Sequence, residues 1–219
     1  MKIALDALFG AAISIVLYMS TLPTVLERRK LVHQGLGPLN PFQIVYSVSS
    51  CLLWLVYGFL IGNWYVLAER FCGLVLYLFY SVTCIGLMGI HWGKMNVTFG
   101  NAEGVQKDLL AADLKQIVTV QYCLVGLFGV WCITFACFFV AFGISPEVLG
   151  QICSINSIGY FVIRTPHIYV IARSKNISSI IPALMGTDMI NSVIWLAYGI
   201  SINNSNFVYP NLVGLVYSI

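Results

Sequence analysis

The chain has 219 residues, 59% of them hydrophobic and 9% charged, with a mean hydropathy of +0.89 and a formal net charge of +3. Soluble domains carry about 25% charged residues, so this composition cannot cover a core with polar surface, and the bilayer is its expected solvent. Its eleven Lys and Arg gather in a few linkers, which argues against a nucleic-acid surface.

A membrane-crossing helix needs about 20 mostly apolar residues. Runs of that kind place the first span near 5–26, the second near 41–61 and the third near 66–91. The fourth falls near 117–143, the fifth near 148–171 and the sixth near 181–201. A seventh run starts near Phe207 and reaches Ile219. Its 13 residues are too few to cross about 30 Å at about 1.5 Å per residue, so the chain is truncated or its last helix ends mid-bilayer. The start is not read as a signal peptide, because Asp6 interrupts it and the apolar run continues through Pro23. The longest linker runs from Gly93 to about Lys115 and is too polar to span; a short surface helix is expected near 103–114.

Basic residues orient the spans. Arg28, Arg29 and Lys30 follow the first; Lys94, Lys107 and Lys115 lie between the third and fourth; Arg173 and Lys175 lie between the fifth and sixth. All fall on one side if the helices alternate, and only Lys2 falls on the other. The expected N-terminus is outside or lumenal, and the basic linkers and C-terminus are cytoplasmic. The sequons at Asn96 and Asn176 then face the cytoplasm, and that at Asn203 sits in a very short loop, so no glycan is expected. The seven cysteines lie in apolar runs without metal-ligand spacing and read as buried free thiols.

The two ends of the chain repeat each other. Pro41 pairs with Pro182, Trp54 with Trp195, Tyr57-Gly58 with Tyr198-Gly199, and Gly73-Leu74-Val75 with Gly214-Leu215-Val216, all at an offset of 141. Pro23 pairs with Pro166 at an offset of 143. Each repeat holds three helices. Because three is odd, a fourth, linking helix is needed to keep the copies parallel, as the basic linkers at 28–30 and 173–175 require. The expected fold is an all-α membrane protein of seven transmembrane helices in a 3+1+3 plan. Its parts are a first repeat over 1–92, a linker and linking helix over 93–147, and a second repeat over 148–219 with a short last helix.

The stretches STLPTVLERRK, NPFQIVYSVSSCLLWLVYG, RTPHIYVIARSKNISSIIP, INSVIWLAYG and VYPNLVGLVYS together resemble the SWEET (MtN3/saliva) family of sugar transporters. The resemblance rests on the order, spacing and repetition of helix prolines, W-x-x-YG and PN-x-x-G, and covers both repeats. PQ-loop transporters share the plan but carry Pro-Gln, where this chain has Pro23-Thr24 and Pro166-His167. The resemblance implies that Ser50, Trp54, Asn191, Trp195 and Asn211 line a substrate site. It also implies that Pro23, Pro41, Pro166 and Pro182 form a hinge tetrad; static kinks are the simpler alternative.

The residues suit a sugar on their own terms: indole faces stack on C–H surfaces, and amides meet hydroxyls. Ser50 and Asn191 precede the tryptophans by one helical turn, on the same face. Arg70 is a departure, because its repeat partner is Asn211 and the resemblance leads one to expect Asn at both positions. An intramembrane charge marks a functional position; Arg70 could bind a polar or anionic solute, or pair with Glu69. Arg164 and Asp188 could form an ion pair, with His167 nearby as a gate or proton site.

No catalytic constellation, metal site or cofactor motif is present in the sequence, so an enzyme is not expected. The expected function is movement of mono- or disaccharides down their gradient by alternating access, in a plasma membrane or endomembrane, with homo-oligomerisation left open. The alternatives are a PQ-loop-like amino acid carrier and a non-transporting seven-helix receptor.

Overall fold

The computed structural model describes residues 2–31, 36–100, 143, 145–174 and 182–217. Every regular element among them is helical: α1 (Lys2–Ser20), α2 (Leu22–Lys30), α3 (Pro41–Leu60), α4 (Trp64–Gly100), α5 (Pro146–Ser174), α6 (Pro182–Ser201) and α7 (Ser205–Tyr217). Helices α1 and α2 are one span broken at Thr21, so six of the seven expected spans are described. The expected fourth span and the surface helix at 103–114 lie outside the described residues.

Short polar side chains start these helices. The Asn40 side chain accepts from the backbone N–H groups of Phe42 and Gln43 at 3.1 and 3.3 Å, with Pro41 in the first turn where no hydrogen bond is lost. Asn63 caps α4 through Tyr65 and Val66, both at 3.2 Å. Its repeat counterpart Asn204 caps α7 through Asn206 at 3.0 Å. The turns before these caps also match: Gly62 at φ +66 and Asn203 at φ 52, residue types that tolerate the left-handed region. Helix α4 runs on to Gly100, into the stretch read as the linker beginning at Gly93, with no proline to stop it.

Hydroxyl groups bond backbone carbonyls beside the helix breaks, where polar backbone at membrane depth needs partners. Beside the break at Thr21, Tyr80 Oη donates to the Tyr18 carbonyl at 2.8 Å and Ser20 Oγ to the Leu17 carbonyl at 2.6 Å. Pro210 lies inside α7 and has no N–H for the Asn206 carbonyl; Ser154 Oγ of α5 donates to that carbonyl at 2.9 Å.

The principal helix contacts close into a ring. In the first repeat α4 packs against both α1 and α3; in the second α7 packs against both α5 and α6. The repeats meet where α1 packs on α6 and where α3 packs on α5. Each three-helix unit therefore has its third helix in the middle, and the two inter-repeat seams are equivalent. The glycines shared by the repeats sit at close approaches. A Cβ at Gly73 would lie 2.7 Å from the Tyr18 ring, and one at Gly214 2.8 Å from the Phe161 ring. Tyr18 and Phe161 are themselves repeat counterparts, at the offset of 143. Outward faces are apolar: Phe71, Val82, Ile155 and Val216 are each more than half exposed. Such surface is normal against lipid and a liability in water. Among the described residues three helices, Ala4–Lys30, Pro41–Leu60 and Trp64–Ile90, are long and apolar enough to cross a membrane by length and composition. The protein is an integral membrane protein.

Candidate functional site

The ring encloses a cavity of about 100 Å³ to which all six described spans contribute lining residues. The six residues singled out from the sequence, Ser50, Trp54, Arg70, Asn191, Trp195 and Asn211, all line it. Helical spacing brings Ser50 and Trp54 to one wall and Asn191 and Trp195 to another; packing of the repeats then makes the two walls face one space.

Two serines absent from the sequence expectations hold the tryptophans. Trp54 Nε1 donates to Ser157 Oγ at 2.9 Å, and Trp195 Nε1 donates to Ser14 Oγ at 2.8 Å. Ser14 and Ser157 differ by the first-helix offset of 143, and each bond joins one repeat to the other. Ser14 Oγ in turn donates to Asn191 Oδ1 at 2.7 Å, which fixes that amide at the cavity wall. Asn211 lies one residue after Pro210, and its Nδ2 donates to the Phe207 carbonyl at 2.7 Å within its own helix. The offsets of 141 and 143 could have found both serines; the pairing itself needed the fold.

The indole faces are covered in this conformation. Phe207 stacks on Trp195 with centroids 5.6 Å apart at 14°, and lies 5.1 Å from the Trp54 ring. The Arg70 guanidinium carbon sits 5.4 Å from the Trp54 centroid. Phe207 belongs to a buried cluster with Trp54, Tyr57, Val66, Trp195 and Tyr198. Beyond that cluster lie the short loops that carry Asn63 and Asn204. Asn63 Nδ2 donates to Tyr198 Oη at 2.6 Å, and Asn204 Nδ2 to Tyr57 Oη at 2.9 Å. These bonds are reciprocal across the repeats, and Asn206 Nδ2 adds a longer one to Tyr57 Oη at 3.4 Å, so the end of the cavity facing those loops is sealed twice, by an aromatic plug and by hydrogen bonds. Nearer the opposite end, α3 and α5 are bridged by Gln43 Nε2 to Tyr160 Oη at 2.7 Å and by Tyr46 Oη to the Asn156 carbonyl at 2.7 Å.

Arg70 is ion-paired with Glu69 of its own helix, Nε to Oε1 at 2.5 Å. Glu69 is fully buried, and its Oε2 accepts from Tyr18 Oη at 2.6 Å. Asp188 is buried and also lines the cavity. The side chains of Arg164 and His167 lie outside the described residues, and with them the pair proposed for Arg164 and Asp188. Of the four prolines, Pro23 follows the break at Thr21, Pro41 and Pro182 open α3 and α6, and Pro166 lies within α5. At least Pro41 and Pro182 are therefore helix starts and not kinks within a helix. Among the described residues no group of His, Cys, Asp and Glu could hold a metal ion.

A ring of two like three-helix units around a shared cavity, with an apolar exterior, is the fold of SWEET-type membrane proteins. The solved structure of a eukaryotic SWEET transporter has this fold with a TM-score of 0.68 at 16% identity, over 99% of this chain and 91% of that one. Residues 147–219 match the family described as "Sugar efflux transporter for intercellular exchange". Two curated relatives, each named "Bidirectional sugar transporter SWEET15", from Oryza sativa subsp. indica and subsp. japonica, are 26% identical over 214 residues. The match takes in 97% of this chain and 60% of each relative, so the chain spans about three fifths of their length. The resemblance read from the residues is borne out: the chain is similar to SWEET (MtN3/saliva) transporters in sequence and shares the fold of one.

Proposed function

We propose that the chain moves mono- or disaccharides across a membrane, down their gradient, by alternating access. The observation that carries this reading is the cavity itself. It lies between two repeats and is walled by paired tryptophans, amides and hydroxyls, the groups a sugar's C–H faces and hydroxyls call for. The relatives' names as sugar transporters support the same class of solute.

Repeat symmetry supports the mechanism. A closed end held by reciprocal bonds between the repeats can open when the units rock apart, while the seam bonds near the other end hold. On this reading Pro23, Pro41, Pro166 and Pro182 act as hinges at helix breaks and helix starts, and Ser50, Trp54, Arg70, Asn191, Trp195 and Asn211 contact the solute. The basic residues in the last turns of α2 and α5 support a cytoplasmic location for those ends, with the N-terminus outside or in the lumen and the sealed end on the outer or lumenal side. The three parts at 1–92, 93–147 and 148–219 serve as first unit, connector and second unit.

Flux of labelled glucose, sucrose, lysine and glutamate into proteoliposomes tests the proposal. Sugar uptake driven by its own gradient and lost in Trp195→Ala is the expected result. Amino acid flux without sugar flux moves the assignment to a PQ-loop-like carrier. No flux by a folded protein overturns the transport reading in favour of a receptor.

A further inference from the structure

Only the first repeat carries charge at the cavity through its third helix. Tyr18, Glu69 and Arg70 occupy the positions that Phe161, Pro210 and Asn211 occupy in the second. A guanidinium at the wall of a solute cavity would ordinarily attract anions. Here the cation does not stand alone. Glu69 is fully buried beside it, in ion-pair contact with Nε, and is aimed by the Tyr18 hydroxyl. We propose that Glu69 is the built-in counter-ion of Arg70, so that the cavity takes a neutral polyhydroxylated solute and rejects its carboxylate analogue.

The proposal rests on the sugar reading and narrows it. A guanidinium and a carboxylate in contact present almost no net charge to a third group several ångströms away. A solute carboxylate entering the cavity would lose its hydration, at a cost of several kcal/mol, and gain no uncompensated cation in return. Asp188, whose carboxyl does line the cavity, adds no attraction for it. A hydroxyl loses less on entering and still meets hydrogen-bond donors. Arg70 carries five N–H groups; Nε faces Glu69, and the residue as a whole lines the cavity. Arg70 is then a specificity-determining donor, and Glu69 the positioning residue that sets its effective charge. The Trp54 ring beneath the guanidinium gives a spectroscopic readout at the same place.

Glucose and glucuronate differ at one carbon, where an alcohol is replaced by a carboxylate, and their relative uptake tests the proposal. The wild-type protein in proteoliposomes is expected to prefer glucose at least tenfold. Glu69→Gln should shift the ratio toward glucuronate at least tenfold, and adding Arg70→Asn should reverse that shift. An unchanged ratio in folded Glu69→Gln overturns the proposal. Wild-type uptake of glucuronate at the glucose rate also overturns it, and that arm decides even where the variant does not fold. If the wild type moves no sugar, the sugar reading falls by itself, and quenching of tryptophan fluorescence by acetate then decides. Quenching in Glu69→Gln that is absent from the double variant supports the counter-ion; quenching in neither overturns it.

Discussion

Ser14 is small and easily overlooked, yet it holds two of the larger groups at the cavity. Its hydroxyl accepts from Trp195 and donates to Asn191, and it is completely buried. Removing it leaves an indole N–H and an amide oxygen without partners, and a buried polar group left unsatisfied costs about 1–3 kcal/mol. Ser14→Ala is therefore expected to lower the Tm in detergent and, on the sugar reading, to raise KM for the solute more than it lowers the maximal rate. Ser157→Ala should do the same at the other tryptophan with a smaller effect, because among the described residues Ser157 bonds to Trp54 alone, whereas Ser14 holds two groups. Equal and negligible effects of both changes on Tm and uptake would show that the tryptophans are held by packing alone.

At the scale of the helix, close approach decides what a position tolerates. Gly73 faces the Tyr18 ring and Cys51 Sγ, and a Cβ would fall 2.7 and 3.0 Å from them. Overpacking of this kind costs about 1–3 kcal/mol, and here it would pry the middle helix of the first repeat away from α1 and α3. Gly73→Ala should reduce thermal stability, and Gly73→Leu should abolish the folded monodisperse protein, as read by size-exclusion chromatography. Proline in α7 makes a complementary case. Ser154 supplies the donor that the Asn206 carbonyl lacks, so Ser154→Ala should cost about 1 kcal/mol, seen as a lower Tm, whereas Ser154→Thr should retain most of that stability.

For the whole molecule, the consequential feature is the doubled seal at one end of the cavity. Each Asn–Tyr bond is worth about 1 kcal/mol, and losing both would change the ratio of closed to open states by about thirtyfold. Asn63 and Asn204 also cap helices through their Oδ1 atoms, so the cleaner changes are Tyr57→Phe and Tyr198→Phe, which keep the caps and the aromatic plug. The double variant should label faster with an outside thiol reagent at Asn211→Cys, in a background free of the native cysteines. Labelling no faster than the parent would mean that the plug around Phe207 alone closes that end.

The sequence by itself determined the parts whose cause is local. Apolar runs of spanning length located the six described spans to within a few residues, apart from the extension of α4, because burial in lipid is a property of a stretch. The offsets of 141 and 143 revealed two copies, and one-turn spacing put Ser50 with Trp54 and Asn191 with Trp195. Which atoms meet across the seam was settled only by tertiary structure. Trp195 and Ser14 are 181 residues apart, and their contact depends on the rotation and register of α1 against α6, which no local pattern records. Glu69 and Arg70 are neighbours in sequence, but adjacent residues on a helix do not face each other. Their pairing became evident only when α1 brought the Tyr18 hydroxyl to one carboxylate oxygen and the cavity held the guanidinium over Trp54, leaving the other oxygen to meet the charge beside it.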